Sequence, residues 1–310
     1  MDIDWREHRR WVRVEDRWAN VVELGSGPPV LMIHGLSGSW QNWLENIPVL
    51  AERHRVVAMD LPGFGESEMP RDKITISGYG RWICSLCEEL GIERAAFVGN
   101  SMGGFVSAET AITFPQMVEK LVLVSSAGIT SEHQRNEQAM AALYAAEGVL
   151  AWYTAWVAKK ADSWASRTRL KRLALAAVLR HPHELPAPLL SEQIRGSGKR
   201  GFMPALDALT SYPIRDRLPD IAVPTLIVWG THDRLVPLKD ASEFERLIPG
   251  SRKVIFNDTG HMPMLERPGR FNRLLEDFLA ERPSPAEGPV DQAEAEAVRE
   301  AEAEAAATGD

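Results

Sequence analysis

Short apolar runs alternate with helical patterns along most of the chain, from Arg9 to Phe278. Most of these runs contain no alternating polar residues, which is typical of strands buried on both faces of a parallel sheet. Strands that alternate with helices predict such a sheet, with helices covering both faces. The predicted strands are Arg9–Val14, Asn20–Leu24, Val30–Ile33, Val56–Met59, Ala95–Val98, Leu121–Val124, Thr225–Trp229 and Lys253–Phe256. The predicted helices are Trp40–Leu50, Ile76–Leu90, Met102–Phe114, Asp240–Leu247 and Pro268–Ala280. The fold is therefore predicted to be α/β, with about eight strands.

One region interrupts this alternation. From about Ile129 to Tyr212 the sequence has only helical patterns, rich in Ala, Leu and Trp, which predict a helical insertion after the sixth strand. We expect a core formed by residues 1–128 and 214–282, with the insertion at 129–213. Residues 139–158 are long enough to cross a bilayer, but Glu147 near their middle disfavours membrane insertion. Neither a membrane span nor membrane contact is expected.

Charge is distributed unevenly along the chain. The formal net charge is −8, and the Ala/Glu-rich residues 283–310 carry most of it. This segment has low complexity and no apolar stripe, so we predict a disordered tail. The remaining body is nearly neutral, which argues against nucleic acid as a partner. Because the sequence has only Cys84 and Cys87 and shows no signal peptide, we expect a cytoplasmic protein with buried helical thiols.

The strongest functional signal is Gly99-Asn100-Ser101-Met102-Gly103-Gly104, which contains the pattern G-x-S-x-G. It follows a predicted buried strand and opens a predicted helix, the context that this motif needs. A serine on so tight a turn brings its backbone close to neighbouring segments, and the flanking glycines avoid a clash. The helix N-terminus also favours negative charge beside the serine. Ser101 is therefore predicted to be a nucleophile.

A serine hydroxyl becomes a nucleophile when a histidine removes its proton and an acidic residue orients that histidine. His261 follows the last predicted strand, on the carboxyl edge where ligands bind to open α/β sheets. Asp233 follows the preceding strand, and neighbouring strands lie about 4.8 Å apart, so the two side chains can meet there. We predict His261 as the base and Asp233 as its acidic partner. Asp258 lies too close to His261 along the chain, and His34 is expected to shape a loop.

The chain order Ser101, Asp233, His261 resembles that of the α/β-hydrolase superfamily. The resemblance covers residues from about 9 to 280 and includes two further segments. They are His34-Gly35-Leu36-Ser37-Gly38, similar to the family's oxyanion loop, and Asp60-Leu61-Pro62-Gly63-Phe64-Gly65-Glu66-Ser67, similar to its turn after the fourth strand. The resemblance implies an α/β-hydrolase fold whose inserted helices form a cap.

It also implies that the backbone N–H groups of Leu36 and Met102 form the oxyanion hole. Haloalkane dehalogenases and epoxide hydrolases of this fold use aspartate where this chain has Ser101. The segment around Ser101 is similar both to lipases or esterases and to hydrolases that cleave C–C bonds of aromatic ring-fission (meta-cleavage) products. The latter typically carry tryptophan directly after the catalytic histidine, and here Met262 follows His261. We therefore predict a carboxylesterase- or lipase-like serine hydrolase.

Three alternatives stay open. A C–C hydrolase of ring-fission products would need a cation for the substrate carboxylate, and the insertion offers Arg167, Arg169, Arg180 and Arg195. A cofactor-free perhydrolase or haloperoxidase would use the same three residues. A binding or receptor protein would keep the fold without catalysis.

The insertion gives the only indication of substrate. Trp152 and Trp156, with Tyr153, are consistent with a one-sided aromatic stripe. This stripe predicts either packing between cap and core or the wall of an acyl pocket. The expected ligand is a small lipophilic ester. No cofactor is implied, and no metal is expected because no cluster of ligands has suitable spacing.

Overall fold

A computed structural model describes residues 3–130, 172, 175–195 and 199–281. They contain one eight-stranded sheet with the strand order β1-β2-β4-β3-β5-β6-β7-β8. The strands are β1 (Arg9–Val14), β2 (Arg17–Leu24), β3 (Pro29–Ile33), β4 (Arg55–Met59), β5 (Ala95–Asn100), β6 (Val118–Val124), β7 (Thr225–Gly230) and β8 (Arg252–Phe256). β1, β2 and β4 pair antiparallel, and every other neighbouring pair is parallel. The predicted α/β architecture, with eight strands in a mostly parallel sheet, is confirmed.

Helices follow most of the strands. They are α1 (Ile47–Leu50), α2 (Ile76–Glu89), α3 (Met102–Thr113), α4 (Ala187–Arg195), α5 (Phe202–Ser211), α6 (Leu238–Leu247), α7 (Pro263–Glu266) and α8 (Pro268–Ala280). The predicted helix Trp40–Leu50 is instead a 3-10 turn, Trp40–Trp43, followed by the short helix α1. Pro48 explains the break, since a proline has no N–H to continue a helix and is favoured in the first turn of a new one.

Two apolar clusters lie on opposite faces of the sheet. On one face, α2 and α3 pack with residues such as Phe97 and Trp229; on the other, α8 packs with residues such as Trp43 and Val98. The middle strands are buried along nearly their whole length, which agrees with their unbroken apolar sequences. The sheet therefore presents a rigid carboxyl edge on which loops can be positioned.

The region between β6 and β7 is described in part. Two helices, α4 and α5, lie there, and the described residues of this region contain no strand. By contacts the chain divides into Met1–Leu279 and Ala280–Asp310. The predicted boundaries at 128 and 213 stay a prediction, and residues 139–158 and the tail at 283–310 lie outside the described residues.

One expectation from composition is met. Cys84 and Cys87 are free, buried residues of α2. Burial raises the pKa of Cys84 to about 11 and that of Cys87 to about 12, so both thiols are protonated at neutral pH and unreactive. Among the helices of the described residues, none is both long and apolar enough to cross a bilayer.

Candidate active site

Ser101 lies at the turn between β5 and α3. Its backbone has φ +54° and ψ −117°, a region that a residue with a side chain rarely adopts. Backbone hydrogen bonds hold it there: its N–H donates to Val124 O (2.9 Å), and its carbonyl accepts from Ala127 N–H (3.1 Å). Strain of this kind persists only where the surroundings enforce it and is concentrated at functional sites.

The two motif glycines around Ser101 each permit a close backbone approach. A Cβ on Gly103 would lie 2.2 Å from Ile33 O, and one on Gly99 would lie 2.3 Å from Gly103 O. Since real Cβ atoms do not approach backbone oxygens this closely, any side chain would displace the turn. The predicted steric reason for the G-x-S-x-G pattern is thus present in the structure.

Asp233 and His261 meet at the carboxyl edge of the sheet, in the loops that follow β7 and β8. His261 Nδ1 lies 2.8 Å from Asp233 Oδ2. The other carboxylate oxygen accepts hydrogen bonds from the N–H groups of Leu235 and Val236, both at 2.9 Å. Asp233 therefore orients the imidazole with one oxygen and caps its own turn with the other.

The environment keeps Asp233 ionised. The Asp233 side chain is completely buried, and burial by itself opposes ionisation. The charge of His261 and the hydrogen bond from His261 act in the other direction, and together with the backbone amides they lower the pKa of Asp233. The amides of Val236 and Leu235 act in the same direction. A carboxylate held in this form favours the tautomer with the proton on His261 Nδ1, which leaves Nε2 free to accept a proton.

Ser101 and His261 are joined through Asn100. The Asn100 side-chain amide donates to Val124 O (3.1 Å) and to His261 O (3.3 Å), which ties the serine turn to the histidine loop. The hydrogen bonds of the described residues do not include one from the Ser101 hydroxyl to the His261 ring. Such bonds often tighten only when substrate is bound.

The loop after β3 packs directly on the serine turn. A Cβ on Gly35 would lie 3.1 Å from Ser101 Cβ. Within the described residues, the N–H groups of Leu36 and Met102 donate to no protein acceptor. Two free N–H groups beside a serine can bind an oxyanion.

His34 holds this loop in place, as expected. Its Nδ1 donates to Gly35 O (2.7 Å), and its Nε2 accepts from Leu61 N–H (3.0 Å). Complete burial lowers the pKa of His34, although the charge of Asp60 opposes this. Both ring nitrogens of the neutral form are used, so His34 is a structural histidine.

Several predicted residues are not part of this arrangement. Arg180 pairs with Asp258, its Nε 3.1 Å from Oδ1. Trp152, Trp156, Arg167 and Arg169, as well as the side chain of Arg195, lie outside the described residues. Two surface pockets of about 360 and 540 Å³ are lined by none of Ser101, Asp233 and His261.

One group of side chains in the described residues has the composition of a metal site. Ligand atoms of His181, His183 and Glu184 lie within 4.8 Å of one another. However, His181 Nε2 contacts Asp258 Oδ2 (2.7 Å), and Glu184 Oε2 contacts Arg267 Nη1 (3.0 Å). Two of the three side chains are thus already in contact with Asp258 and Arg267.

Two residues near His261 were missed from the sequence. In the sequence, Asn100 is one residue of the serine motif, and no local pattern assigns a role to Glu266. Glu266 is 7% exposed, and burial raises its pKa although three backbone N–H groups and Arg267 oppose the shift. A glutamate five positions after the histidine is a weak signal by itself, because the contacts that give it a role come from a distant segment.

The chain is similar to proteins of known family and structure. Residues 28–268 match the family model described as alpha/beta hydrolase fold. The chain is 33% identical to an uncharacterized protein of Mycobacterium tuberculosis over 92% of this chain and 84% of the relative. It is 30% identical to a 2-hydroxy-6-oxo-6-phenylhexa-2,4-dienoate hydrolase of Comamonas testosteroni, over 84% of this chain and 90% of the relative.

A solved structure is similar as well. The crystal structure of a membrane phospholipase A, a bacterial virulence factor, has a TM-score of 0.67 and 27% sequence identity to this chain. The match covers 87% of this chain and 85% of the phospholipase. The similar proteins thus include both a C–C hydrolase and an ester hydrolase.

Proposed function

We propose that this chain, which belongs to the alpha/beta hydrolase fold family, is a cofactor-independent serine hydrolase that cleaves carboxylic esters with an apolar acyl group. The observation that carries this proposal is the buried pair of Asp233 and His261, 2.8 Å apart, beside the strained turn that presents Ser101. An acid that orients a histidine next to a serine is the arrangement that activates a hydroxyl.

Ser101 Oγ would attack the ester carbonyl carbon while His261 Nε2 accepts the hydroxyl proton. The C–O bond to the alcohol then breaks, and His261 returns the proton to the departing alkoxide. Water, deprotonated by His261, then attacks the acyl-enzyme. The C–O bond to Ser101 Oγ breaks, His261 returns the proton to Oγ, and the acid is released. Asp233 stays ionised throughout and stabilises the imidazolium that forms in each step.

The oxyanion that forms on the carbonyl oxygen would be bound by the N–H groups of Leu36 and Met102. Both are without another acceptor in the described residues, and the Met102 amide stands at the N-terminus of α3, where the helix dipole favours negative charge. One such donor contributes roughly 3–4 kcal/mol to stabilising the transition state.

Two observations favour an ester over a C–C bond. Met262, buried beside His261, stands where C–C hydrolases typically carry tryptophan. A C–C hydrolase would need a cation for the substrate carboxylate, but the Arg180 side chain already forms a salt bridge with Asp258. The similarity to a phospholipase A is consistent with ester hydrolysis.

The second candidate is hydrolysis of a C–C bond in a 2-hydroxy-6-oxo-dienoate. It is favoured by the 30% identity to the Comamonas enzyme, which extends over 84% of this chain. Both reactions begin with a carbonyl carbon held beside Ser101, so the two candidates share their machinery and differ in the bond that breaks.

A fluorophosphonate probe tests the serine chemistry. We expect stoichiometric labelling of the purified protein, with the adduct on Ser101 by peptide mass spectrometry, and no labelling of Ser101→Ala. Absence of labelling in the wild-type protein, or labelling retained by Ser101→Ala, contradicts the proposal.

The bond type is decided by comparing kcat/KM for a series of p-nitrophenyl esters with that for 2-hydroxy-6-oxo-6-phenylhexa-2,4-dienoate. We expect the esters to be the better substrates, with kcat/KM that rises with acyl length over the first few carbons. A dienoate kcat/KM that exceeds that of every ester would assign the second candidate instead.

A further inference from the structure

Glu266 is a buried carboxylate without a role in the chemistry described above. It is the last residue of α7, the short helix that directly follows the loop carrying His261. Its two oxygens face backbone N–H groups from two separate parts of the chain. Oε1 accepts from Gly260 N–H at 2.8 Å, and Oε2 accepts from Arg180 N–H at 2.7 Å and His181 N–H at 3.3 Å.

The two parts of the chain that Glu266 joins also contact each other directly. His261 N–H donates to Val178 O at 2.9 Å. A Cβ on Gly260 would lie 2.7 Å from Arg180 N and 2.9 Å from Val178 O, so glycine is needed for this approach. The backbone of the histidine loop is therefore packed on residues 178–181, which belong to the region between β6 and β7.

A carboxylate is suited to this junction. Backbone N–H groups that are removed from water need an acceptor, and a carbonyl oxygen with two lone pairs could serve at most two of these three. One ionised carboxylate can accept all three, and hydrogen bonds to a charged acceptor are stronger than those to a neutral one. Glu266 thus supplies the acceptor that lets the two backbone segments lie side by side.

We propose that Glu266 is a positioning residue for His261: its carboxylate holds the histidine loop against residues 178–181 and so keeps the imidazole in register with Ser101. This inference rests on the proposed function, in which His261 is the base. If the carboxylate were lost, Asp233 would still bind the His261 ring. The backbone of the histidine loop at Gly260 would, however, lose its link to the N–H groups of Arg180 and His181. A shift of about 1 Å in a reacting group costs about 100-fold in rate.

Glu266→Ala and Glu266→Gln test this role against Asp258→Asn. Asp258 lies at the same junction but forms exposed ion pairs with Arg180 and His181, its side chain being 49% exposed. We expect Glu266→Ala to lower kcat for a p-nitrophenyl ester 10- to 100-fold with KM changed less than about three-fold. Glu266→Gln, which retains one acceptor oxygen, should lose about three- to ten-fold, and Asp258→Asn less than two-fold.

Hydrogen exchange measured by mass spectrometry gives a readout that does not depend on activity. In Glu266→Ala, peptides that contain residues 175–182 and 257–262 should exchange faster together, while peptides from α3 stay protected. A kcat within two-fold of wild type, a change confined to KM, unaltered exchange in either peptide, or an equal loss in Asp258→Asn overturns the proposal. Should Glu266→Ala fail to fold, Glu266→Gln is judged by the same criteria.

Failure of the proposed function has a different signature. If the wild-type protein turned over no ester and reacted with no fluorophosphonate, the proposal that His261 acts as a base would be rejected. The hydrogen-exchange result would still show whether Glu266 joins the two segments. Normal wild-type turnover together with unchanged Glu266 variants would reject the positioning role alone.

Discussion

The serine turn and the histidine loop stand at the same edge of the sheet but are held by different means. Ser101 is placed by backbone packing, in which Gly99 and Gly103 let β5, α3 and the end of β3 approach within distances that exclude a Cβ. The histidine loop also has a close backbone approach, at Gly260, but His261 is in addition held by polar side chains: Asp233 holds its ring, Asn100 its carbonyl and Glu266 the loop before it.

Because of this difference, we expect substitutions in the two regions to have different effects. Backbone packing around Ser101 is part of the core, so a change there is expected to affect folding first. Side-chain hydrogen bonds around His261 orient one residue, so a change there is expected to affect rate first. The predictions below test this division, beginning with the largest expected effect.

Removing the Ser101 hydroxyl should separate chemistry from stability most clearly. Ser101→Ala is expected to lower kcat for a p-nitrophenyl ester by at least about 10⁴-fold, since the nucleophile is gone. The melting temperature should change by less than about 2 °C, because the hydroxyl makes no hydrogen bond within the described residues. Steady-state kinetics and calorimetry measure the two effects, and residual kcat within 100-fold of wild type would contradict the role of Ser101.

Asp233→Asn should reduce kcat by about 10³- to 10⁴-fold while the protein stays folded. The amide that replaces the carboxylate favours the wrong tautomer of His261 and cannot stabilise the imidazolium. Far-ultraviolet circular dichroism should match that of wild type. Asp258→Asn, at the start of the loop that carries His261, is the matched control, and equal losses in both variants would remove the distinction between the two carboxylates.

Gly103→Ala should act on folding instead. A Cβ there would lie 2.2 Å from Ile33 O, so the turn must move, and we expect a loss of about 2–3 kcal/mol in the free energy of unfolding. Gly269→Ala is the control, because its nearest neighbour would be the end of the Arg273 side chain at 3.7 Å. That variant should be neutral or slightly more stable. Urea unfolding that ranks the two variants equally would contradict the packing argument.

The pH dependence of stability should carry a contribution from Asp233. Its pKa in the folded protein is lowered, so its contribution is present above the unfolded pKa of about 3.9 and is lost as pH falls through the folded value. In urea unfolding between about pH 3 and 7, Asp233→Asn should therefore lose less stability on acidification than wild type. Parallel curves for the two proteins would contradict the ionised state of Asp233.

The smallest effect is expected from removing residues 283–310. This segment belongs to neither of the two regions, and a chain truncated after Arg282 should keep kcat/KM within two-fold and its melting temperature within about 2 °C. A larger change in either would mean that the acidic segment contributes to the folded body.

The sheet and the serine turn could be predicted from the sequence because their signals are local. Apolar runs such as Val30–Ile33 indicate buried strands. The G-x-S-x-G segment predicts a tight turn, and its glycines indicate where the backbone must pack closely. Asp233 and His261 could be matched because each follows a strand at a defined edge of the sheet. The prediction failed in detail for Trp40–Leu50, where Pro48 lies in the first turn of a separate helix that begins at Ile47.

The supports of His261 could not be predicted, because they depend on contacts between residues far apart in the chain. Nothing near Glu266 in sequence indicates that its carboxylate meets the amides of Arg180 and His181. Asn100 likewise gains its role only when β5 and the histidine loop are brought together in space. Roles of this kind come from tertiary structure, whatever the local pattern.

The neutral, doubly bonded ring of His34 bears on how an activity profile should be interpreted. Charging this ring would destroy the acceptor for Leu61 N–H, but its lowered pKa places that event on the acidic side of an ordinary histidine titration. The loop that carries Leu36 consequently keeps its shape across the range in which imidazoles usually gain a proton. A change in log kcat/KM within that range would therefore not come from a rearrangement of the loop that carries Leu36.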